Sequence, residues 1–210
     1  MPTRVLLADD HALVRQGLKA FLERQGLQVV GEASDGQEAV QMAKETQPDV
    51  AIVDISMPVL NGLDAARELQ KSSPKTIVIL LTKHDGDQYV MEALRTGVRG
   101  YVLKIQVADD LLRAIKEVRR GAIYLSPGVS SASVDAYLSK SCLSTDPLSS
   151  RERQVLQLVG EGNSTKQIAH QLGISVKTAE SHRMRLMRKL DIHEKASLVR
   201  YALRHGLIQP

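Results

Sequence analysis

The sequence predicts a doubly wound α/β domain with a five-stranded parallel sheet, followed by a small all-α domain. Short, continuously apolar runs alternate with segments of helical spacing over residues 1–122, which is typical of repeated βα units. A serine-rich stretch with Pro127 and Gly128 near its start then interrupts the pattern. Residues 146–210 contain successive helix-capping patterns, which indicate a separate helical unit.

The composition is that of an ordinary globular chain with an aliphatic core. Among 210 residues, 25% are charged, 43% are hydrophobic, Trp is absent and Phe occurs once. This mixture excludes disordered and collagen-like classes, and the single cysteine excludes a disulfide scaffold. No apolar run approaches the roughly 18–20 residues that cross a bilayer, so we expect a cytoplasmic protein with no membrane partner.

Five strand-like runs, each too short for a helix and rich in Val, Ile and Leu, define the first domain, residues 1–122. They are Arg4–Ala8, Gln28–Val30, Val50–Val53, Thr76–Leu81 and Tyr101–Leu103. Helical spacing lies between them; Leu13, Leu18 and Leu22, for example, share one face. Because the strands are apolar throughout, we expect a sheet that helices cover on both faces.

Polar side chains follow four of the five strands. Asp9 and Asp10 end the first strand, and Asp54 ends the third. Thr82 and Lys104 end the fourth and fifth. Ligand sites in parallel sheets lie at the carboxyl ends of the strands, so these side chains should meet at one edge. Each has an ordinary structural explanation on its own, such as a helix cap at Asp10. Together, however, carboxylates about 4 Å apart repel by ~4 kcal/mol at an effective dielectric near 20, and need neutralisation.

The charge of this edge predicts a magnesium site with phosphoryl chemistry. Three carboxylates and one lysine leave a charge that one Mg²⁺ balances, and the sequence has no Cys/His cluster for zinc. A carboxylate beside Mg²⁺ can attack a phosphoryl group and carry an acyl phosphate. Asp54 is best placed as the nucleophile, with Asp9 and Asp10 as metal ligands. Lys104 then pairs with the phosphoryl charge, and Thr82 detects it.

The joint pattern over residues 4–121 resembles the receiver domain of two-component response regulators, which has a flavodoxin-like fold. The resemblance is carried by Asp9-Asp10, Asp54-Ile55-Ser56-Met57-Pro58, Asn61-Gly62, Thr82 and Lys104. It implies that Asp54 is the phosphoacceptor, Asp10 a direct metal ligand and Asp9 a water-mediated one. It also implies a metal contact from the Ser56 backbone carbonyl and a switch role for Tyr101, for which a half-buried strand residue is the alternative.

One position departs from this family's pattern. Ile105 stands where many receivers have proline after the lysine, so we expect the peptide bond that follows Lys104 to be trans.

Charge separates the two ends of the chain. Residues 1–122 hold 16 Lys and Arg against 17 Asp and Glu, whereas residues 146–210 hold 11 against 6, a net of +5. Residues 123–145 between them are predicted as a linker. A basic domain on a neutral body indicates an anionic partner such as nucleic acid.

The basic part has the pattern of a helix-turn-helix. Residues 149–152 and 164–167 form capping boxes for two helices. The short turn 172–174 precedes a third helix, with Ser175 as its cap, over about 176–190. A fourth helix is expected over about 194–205.

One face of the third helix suits a DNA major groove. It combines cations, hydrogen-bonding groups and one soft apolar side chain: Lys177, Glu180, Ser181, Met184, Arg185 and Arg188. A solvated surface helix is the alternative explanation, but the preceding turn and the positive charge favour DNA.

Residues 148–207 resemble the DNA-binding domain of LuxR/NarL (NarL/FixJ) regulators, through motifs at 148–152, 168–169, 172–175 and 177–179. The resemblance implies three base-facing side chains: Glu180, Ser181 and Met184. It implies four phosphate contacts: Lys177, Thr178, Arg185 and Arg188. His182 is expected to pack the helix or meet a phosphate. Family members often have Val at position 179 and a basic residue at position 180. Because this chain has Ala179 and Glu180 instead, the operator sequence cannot be inferred from its relatives.

These patterns predict a phosphorylation-dependent transcriptional regulator and not an enzyme. The implied partners are double-stranded promoter DNA, a cognate sensor histidine kinase and RNA polymerase, with a homodimer in the phosphorylated state. The enzyme alternative is a haloacid-dehalogenase-like phosphohydrolase, which normally has a second Asp where this chain has Ser56. A phosphorylation-independent regulator or scaffold is the third alternative, and the intact acidic cluster argues against it.

Overall fold

The computed structural model describes residues 1–83, 86–129, 147–204 and 207–208. The chain divides into two compact units, Met1–Ser141 and Cys142–Pro210. Within the described residues, no helix combines the length and the apolar composition needed to cross a membrane.

A parallel sheet forms the centre of the first unit. Its strands are β1 (Arg4–Ala8), β2 (Gln28–Ala33), β3 (Val50–Asp54), β4 (Ile77–Thr82), β5 (Gly100–Leu103) and β6 (Tyr124–Leu125). The helices between them are α1 (Ala12–Arg24), α2 (Gly36–Thr46), α3 (Gly62–Ser72), α4 (Asp87–Arg95) and α5 (Val107–Arg119), with a 3₁₀ turn at Lys104–Gln106. The strand order β2-β1-β3-β4-β5-β6 confirms the predicted doubly wound architecture.

Alternate residues of each strand face two separate apolar layers. Leu6, Val53 and Leu80 pack on the side of α2, α3 and α4. Val5 and Ile52 pack on the side of α1 and α5. Burial on both faces accounts for the continuous apolar runs from which the sheet was predicted.

The sheet has a sixth strand, where the sequence predicts five. β6 pairs with β5 in parallel, with Gly100 opposite Tyr124. Polar contacts hold this short strand, because the carboxylate of Asp110 on α5 accepts hydrogen bonds from the Tyr124 hydroxyl at 3.1 Å and the Ser126 hydroxyl at 2.7 Å. The Ser126 Oγ in turn accepts from the backbone N–H of Leu103 at 3.0 Å. We call Asp110, Tyr124 and Ser126 the β6 clasp.

The clasp lies within the first residues of the predicted linker, 123–145. Two strand residues have no measurable periodicity, so the sequence pattern could not separate this strand from the serine-rich stretch that follows. The remainder of the predicted linker, from residue 130, lies outside the described residues.

The second unit contains four helices in the described residues: α6 (Ser150–Gly160), α7 (Thr165–Gln171), α8 (Val176–Leu190) and α9 (Lys195–Arg204). Both predicted capping boxes are formed, at Ser149 and Ser164, and the Ser175 side chain caps α8. The four helices share a core that includes Leu156 and Leu186, both completely buried. This arrangement confirms the predicted helical domain with a helix-turn-helix.

Candidate functional site

Two strand ends and the residue after β5 bring one ammonium group between two buried carboxylates. Asp9 follows β1, Asp54 ends β3 and Lys104 directly follows β5. Lys104 Nζ lies 2.8 Å from Asp9 Oδ2 and 2.8 Å from Asp54 Oδ2. Because Asp9 and Asp54 are only 1% and 2% exposed, this ammonium group is their direct counter-charge.

A wider group of metal-ligating atoms surrounds this pair. Ligand atoms of Asp9, Asp10, His11 and Asp54 all lie within 4.8 Å of one another. Asp10 and His11 are exposed, and His11 Nδ1 lies 2.7 Å from Asp10 Oδ1. The sequence reasoning missed His11, although its position directly after the acidic pair was an available signal. The three carboxylates supply the hard oxygen ligands that Mg²⁺ prefers, so the donor set fits this cation.

Burial is the main influence on the ionisation of Asp54. It raises the pKa of the Asp54 carboxyl, and the charge of Asp9 raises it further. The charge and hydrogen bond of Lys104, and a backbone hydrogen bond from Ser56, oppose this rise. Burial acts to lower the pKa of Lys104, but Asp54 and Asp9 together raise it. Lys104 therefore stays cationic at neutral pH.

The loop after β3 packs directly against the backbone of Asp54. A Cβ atom on Gly62 would lie 2.0 Å from the Asp54 carbonyl oxygen, so only glycine fits this position. The Gly62 N–H donates to the Ile55 carbonyl at 2.9 Å, and the Asn61 side chain caps α3. The Asn-Gly pair of the sequence motif thus fixes the end of the loop that follows Asp54.

Thr82 and Tyr101 both lie inside the domain, beside the Lys104 strand end. Thr82 is completely buried at the end of β4, opposite Leu103. Tyr101 is 1% exposed, so it is a fully buried residue and not a half-buried one. Ile105, by contrast, is 82% exposed, and the peptide bond before it is trans as predicted.

The predicted DNA-contacting residues share the exposed side of α8. Six of the eight are exposed: Lys177, Thr178, Glu180, Met184, Arg185 and Arg188. Ser181 and His182 are half-buried, while Ala179 and Leu186 face the core. At 61% exposure, Met184 is a large apolar side chain in solvent on an otherwise polar helix face.

Two local contacts modify this face. Arg183 Nη2 lies 3.7 Å from Glu180 Oε1, and the Ser181 hydroxyl donates to the Lys177 carbonyl at 2.9 Å. Burial, with the charges of Arg151 and Arg185, lowers the pKa of His182. These surroundings favour the neutral imidazole of His182 in the free chain.

One ion pair connects the start of α6 to the end of α8. Glu152 Oε2 accepts hydrogen bonds from the Ser149 N–H at 2.8 Å and from Lys189 Nζ at 2.6 Å. Burial would raise the pKa of Glu152, but Lys189 and Ser149 together lower it. The capping box was predictable from local spacing, whereas Lys189 lies 37 residues away and was not identified.

Comparison with known proteins identifies both halves of the chain. Residues 5–116 match the response regulator receiver domain, and residues 146–202 match the bacterial regulatory proteins of the luxR family. The chain therefore belongs to the response regulators that join a receiver domain to a luxR-type DNA-binding domain. It is a phosphorylation-dependent transcriptional regulator of the two-component class.

Curated relatives match along nearly the whole chain. The transcriptional regulatory protein MctR of Rhizobium johnstonii is 40% identical over 206 residues, covering 98% of this chain and 95% of that protein. The oxygen regulatory protein NreC of Staphylococcus carnosus is 38% identical over 214 residues, covering 98% and 99%.

Solved structures of similar length also match. A Salmonella typhimurium RcsB response regulator has a TM-score of 0.63 at 27% identity, covering 98% of this chain and 99% of that one. An RcsB–DNA complex has a TM-score of 0.57 at 29% identity, with the same coverage.

Proposed function

We propose that Asp54 is the phosphoacceptor and that a cognate sensor histidine kinase donates its phosphoryl group. The observation that carries this proposal is the ammonium group of Lys104, 2.8 Å from both Asp54 and Asp9. Because Asp54 shares the ammonium group of Lys104 with Asp9, Lys104 can leave Asp54 and pair with an incoming phosphoryl group. The Asp54 carboxylate attacks phosphorus, the bond to the donor nitrogen breaks, and an acyl phosphate forms.

The residues around Asp54 are suited to hold Mg²⁺ in this reaction. Asp9, Asp10 and Asp54 would bind it with their carboxylates, and the Ser56 backbone carbonyl would add a further oxygen. With Lys104 included, these side chains leave a charge of about −2, which one divalent cation balances. When bound, the ion supplies positive charge that offsets the phosphoryl oxygens.

The phosphoryl group then changes the contacts of two buried residues, Thr82 and Tyr101. It adds about −1.5 to −2 of charge, for which Lys104 and the Thr82 hydroxyl are the nearest donors. Movement of Thr82 toward the phosphoryl group makes space in the interior beside Tyr101, which is fully buried in β5. We propose that Tyr101 adjusts to this space and that the surface near β4 and β5 changes with it.

The output is tighter binding of a homodimer to promoter DNA. One RcsB structure contains dimers bound to DNA, which supports the same arrangement here. On α8, Glu180, Ser181 and Met184 would face bases. Phosphates would be met by Lys177, Thr178, Arg185 and Arg188, and His182 would pack the helix or meet a phosphate. RNA polymerase is a further proposed partner, in the cytoplasm.

Phosphorylation of two carboxylate variants tests this proposal. Wild-type protein, Asp54→Ala and Asp109→Asn are incubated with acetyl phosphate, with and without Mg²⁺. Asp109 is an exposed carboxylate of the same domain and serves as the matched control. We expect Mg²⁺-dependent labelling of the wild type and the control, and none of Asp54→Ala. Undiminished labelling of Asp54→Ala would assign the phosphoacceptor elsewhere.

The output is measured separately with beryllofluoride, which mimics the phosphoryl group. We expect it to raise both the apparent mass of the wild type and its affinity for promoter DNA. If neither changes, the receiver does not control the DNA-binding domain through Asp54. Turnover of a generic phosphate ester would instead favour the phosphohydrolase alternative.

A further inference from the structure

A second cation, besides Lys104, contacts Asp9. Arg15 lies on α1, one turn beyond the acidic pair, and its Nη1 donates to the Asp9 backbone carbonyl at 2.6 Å. The Arg15 side chain is only 18% exposed, so this contact is largely shielded from solvent. The phosphorylation chemistry described above makes no use of Arg15.

This contact completes the hydrogen bonding of Asp9. Its N–H donates to the Ala33 carbonyl at 3.1 Å, and its Oδ1 accepts from the His11 N–H at 2.9 Å. Its Oδ2 accepts from Lys104, and its carbonyl accepts from Arg15. Every polar atom of Asp9 thus has a partner. The carbonyl belongs to the peptide unit that joins Asp9 to Asp10, so Arg15 also fixes the direction in which the chain enters Asp10.

Glu32 on β2 orients Arg15 for this role. Glu32 Oε2 lies 3.7 Å from Arg15 Nε, which is buried and has no hydrogen-bond partner. Glu32 also accepts from Lys19, whose Nζ lies 2.6 Å from Oε1. Arg15 and Lys19 therefore share one carboxylate on adjacent turns of α1, but the hydrogen bond to Asp9 comes from Arg15.

We propose that Arg15, oriented by Glu32, is a positioning residue that prepares the Asp9–Asp10 pair for a divalent cation. This inference rests on the proposed role of the acidic cluster and adds a residue to it. Side chains that orient metal ligands from outside typically change metal affinity by 10–100-fold when they are replaced. A backbone contact to one of the two aspartates corresponds to the lower end, so we expect a loss of roughly tenfold.

The test measures metal binding directly, on the full unphosphorylated chain. Calorimetric titration with Mg²⁺ compares wild type, Arg15→Met, Arg15→Lys and Lys19→Met. Arg15→Met keeps the apolar length and removes every donor, so its Mg²⁺ affinity should fall roughly tenfold. Arg15→Lys retains one donor and should recover part of the affinity. Lys19→Met loses the same carboxylate partner without touching Asp9, and should bind as the wild type does.

A purely structural role for Arg15 has a different outcome. It would lower the thermal stability of Arg15→Met and leave Mg²⁺ affinity equal to that of Lys19→Met, which would overturn the inference. The Mg²⁺ concentration that gives half-maximal labelling by acetyl phosphate is a second measure of Mg²⁺ binding. It should rise in the same variants as the dissociation constant measured by calorimetry. If Arg15→Met binds normally while Asp54→Ala abolishes labelling, the positioning role fails and the phosphoacceptor assignment stands. Undiminished labelling of Asp54→Ala would overturn only the assignment of Asp54 as phosphoacceptor, and not the positioning role of Arg15.

Discussion

Replacement of Asp54 by asparagine should stabilise the receiver domain, because the native carboxylate is held in an unfavourable environment. Its side chain is 4% exposed, and burial raises its pKa. Asparagine has the same shape and no charge, so it removes the cost of burying the ion. If Asp54 is the phosphoacceptor, as proposed, the same substitution should abolish phosphorylation while it stabilises the fold.

The magnitude follows from the distances. At an effective dielectric near 20, Lys104 at 2.8 Å attracts the Asp54 carboxylate by about 6 kcal/mol. Asp9, within 4.8 Å, repels it by at least about 3.5 kcal/mol at the same dielectric. The remaining attraction of about 2.5 kcal/mol is less than the several kcal/mol needed to desolvate a carboxylate. We therefore expect Asp54→Asn to add about 1–2 kcal/mol, or roughly 5 °C in Tm, at neutral pH without Mg²⁺.

The gain should depend on pH in a defined direction. Because the pKa of Asp54 is raised on folding, the folded state binds its proton more tightly than the unfolded state does. Wild-type stability therefore falls as the pH rises from the unfolded pKa through the folded one. Below this window the carboxyl is protonated in both states, and the advantage of asparagine should disappear.

Scanning calorimetry of the full chain measures this effect. The receiver transition is the one that Mg²⁺ moves upward in the wild type, since a cation that binds the folded state stabilises it. That transition should move upward in Asp54→Asn and respond less to Mg²⁺, whereas Asp109→Asn should match the wild type. A neutral-pH Tm at or below the wild-type value, or a gain that persists unchanged in acid, would refute the electrostatic reasoning.

Four further substitutions test other parts of the chain. Gly62→Ala places a Cβ against the Asp54 backbone carbonyl, so the receiver Tm should fall, by more than 5 °C for a loss of about 2 kcal/mol. Glu152→Gln weakens the pairing with Lys189 and should cost the helical domain about 1 kcal/mol in denaturant unfolding. Arg188→Ala should weaken binding to all DNA sequences and lower the salt slope by roughly one unit. Glu180→Ala should instead relax the preference for one base pair per half-site by about 1–3 kcal/mol. An unchanged preference in a library of binding sites would contradict the proposal that this face of α8 contacts the bases.

The acidic edge could be predicted because it depends only on chain direction. Once the strands are known to be parallel, Asp9, Asp54 and Lys104 are expected at the same edge of the sheet. Their direct contact also depends on the strand order, in which β3 and β4 lie between β1 and β5, and on the length of the Lys104 side chain. The capping boxes were equally accessible, since each lies within four consecutive residues.

Contacts that cross between elements could not be predicted in the same way. Arg15 reaches the Asp9 carbonyl from the first turn of α1, and Lys189 reaches Glu152 across 37 residues. Such contacts depend on side-chain length, rotamer and the distance between neighbouring elements, none of which alters hydrophobic periodicity. Arg183 and Glu180, by contrast, lie three residues apart on one helix, a spacing that the sequence alone shows to bring two side chains to the same surface.

The β6 clasp determines where the receiver domain can be cut. A fragment that ends at residue 122 would leave the Asp110 carboxylate, 4% exposed in the whole chain, without either hydroxyl partner. It would also expose the outer edge of β5, where the Tyr101 carbonyl now accepts from the Ser126 N–H at 2.9 Å. Open strand edges of this kind promote intermolecular pairing. An isolated receiver should therefore extend through residue 129. The segment that leaves this domain begins as β6, which pairs with β5, and β5 carries Tyr101 and leads into Lys104.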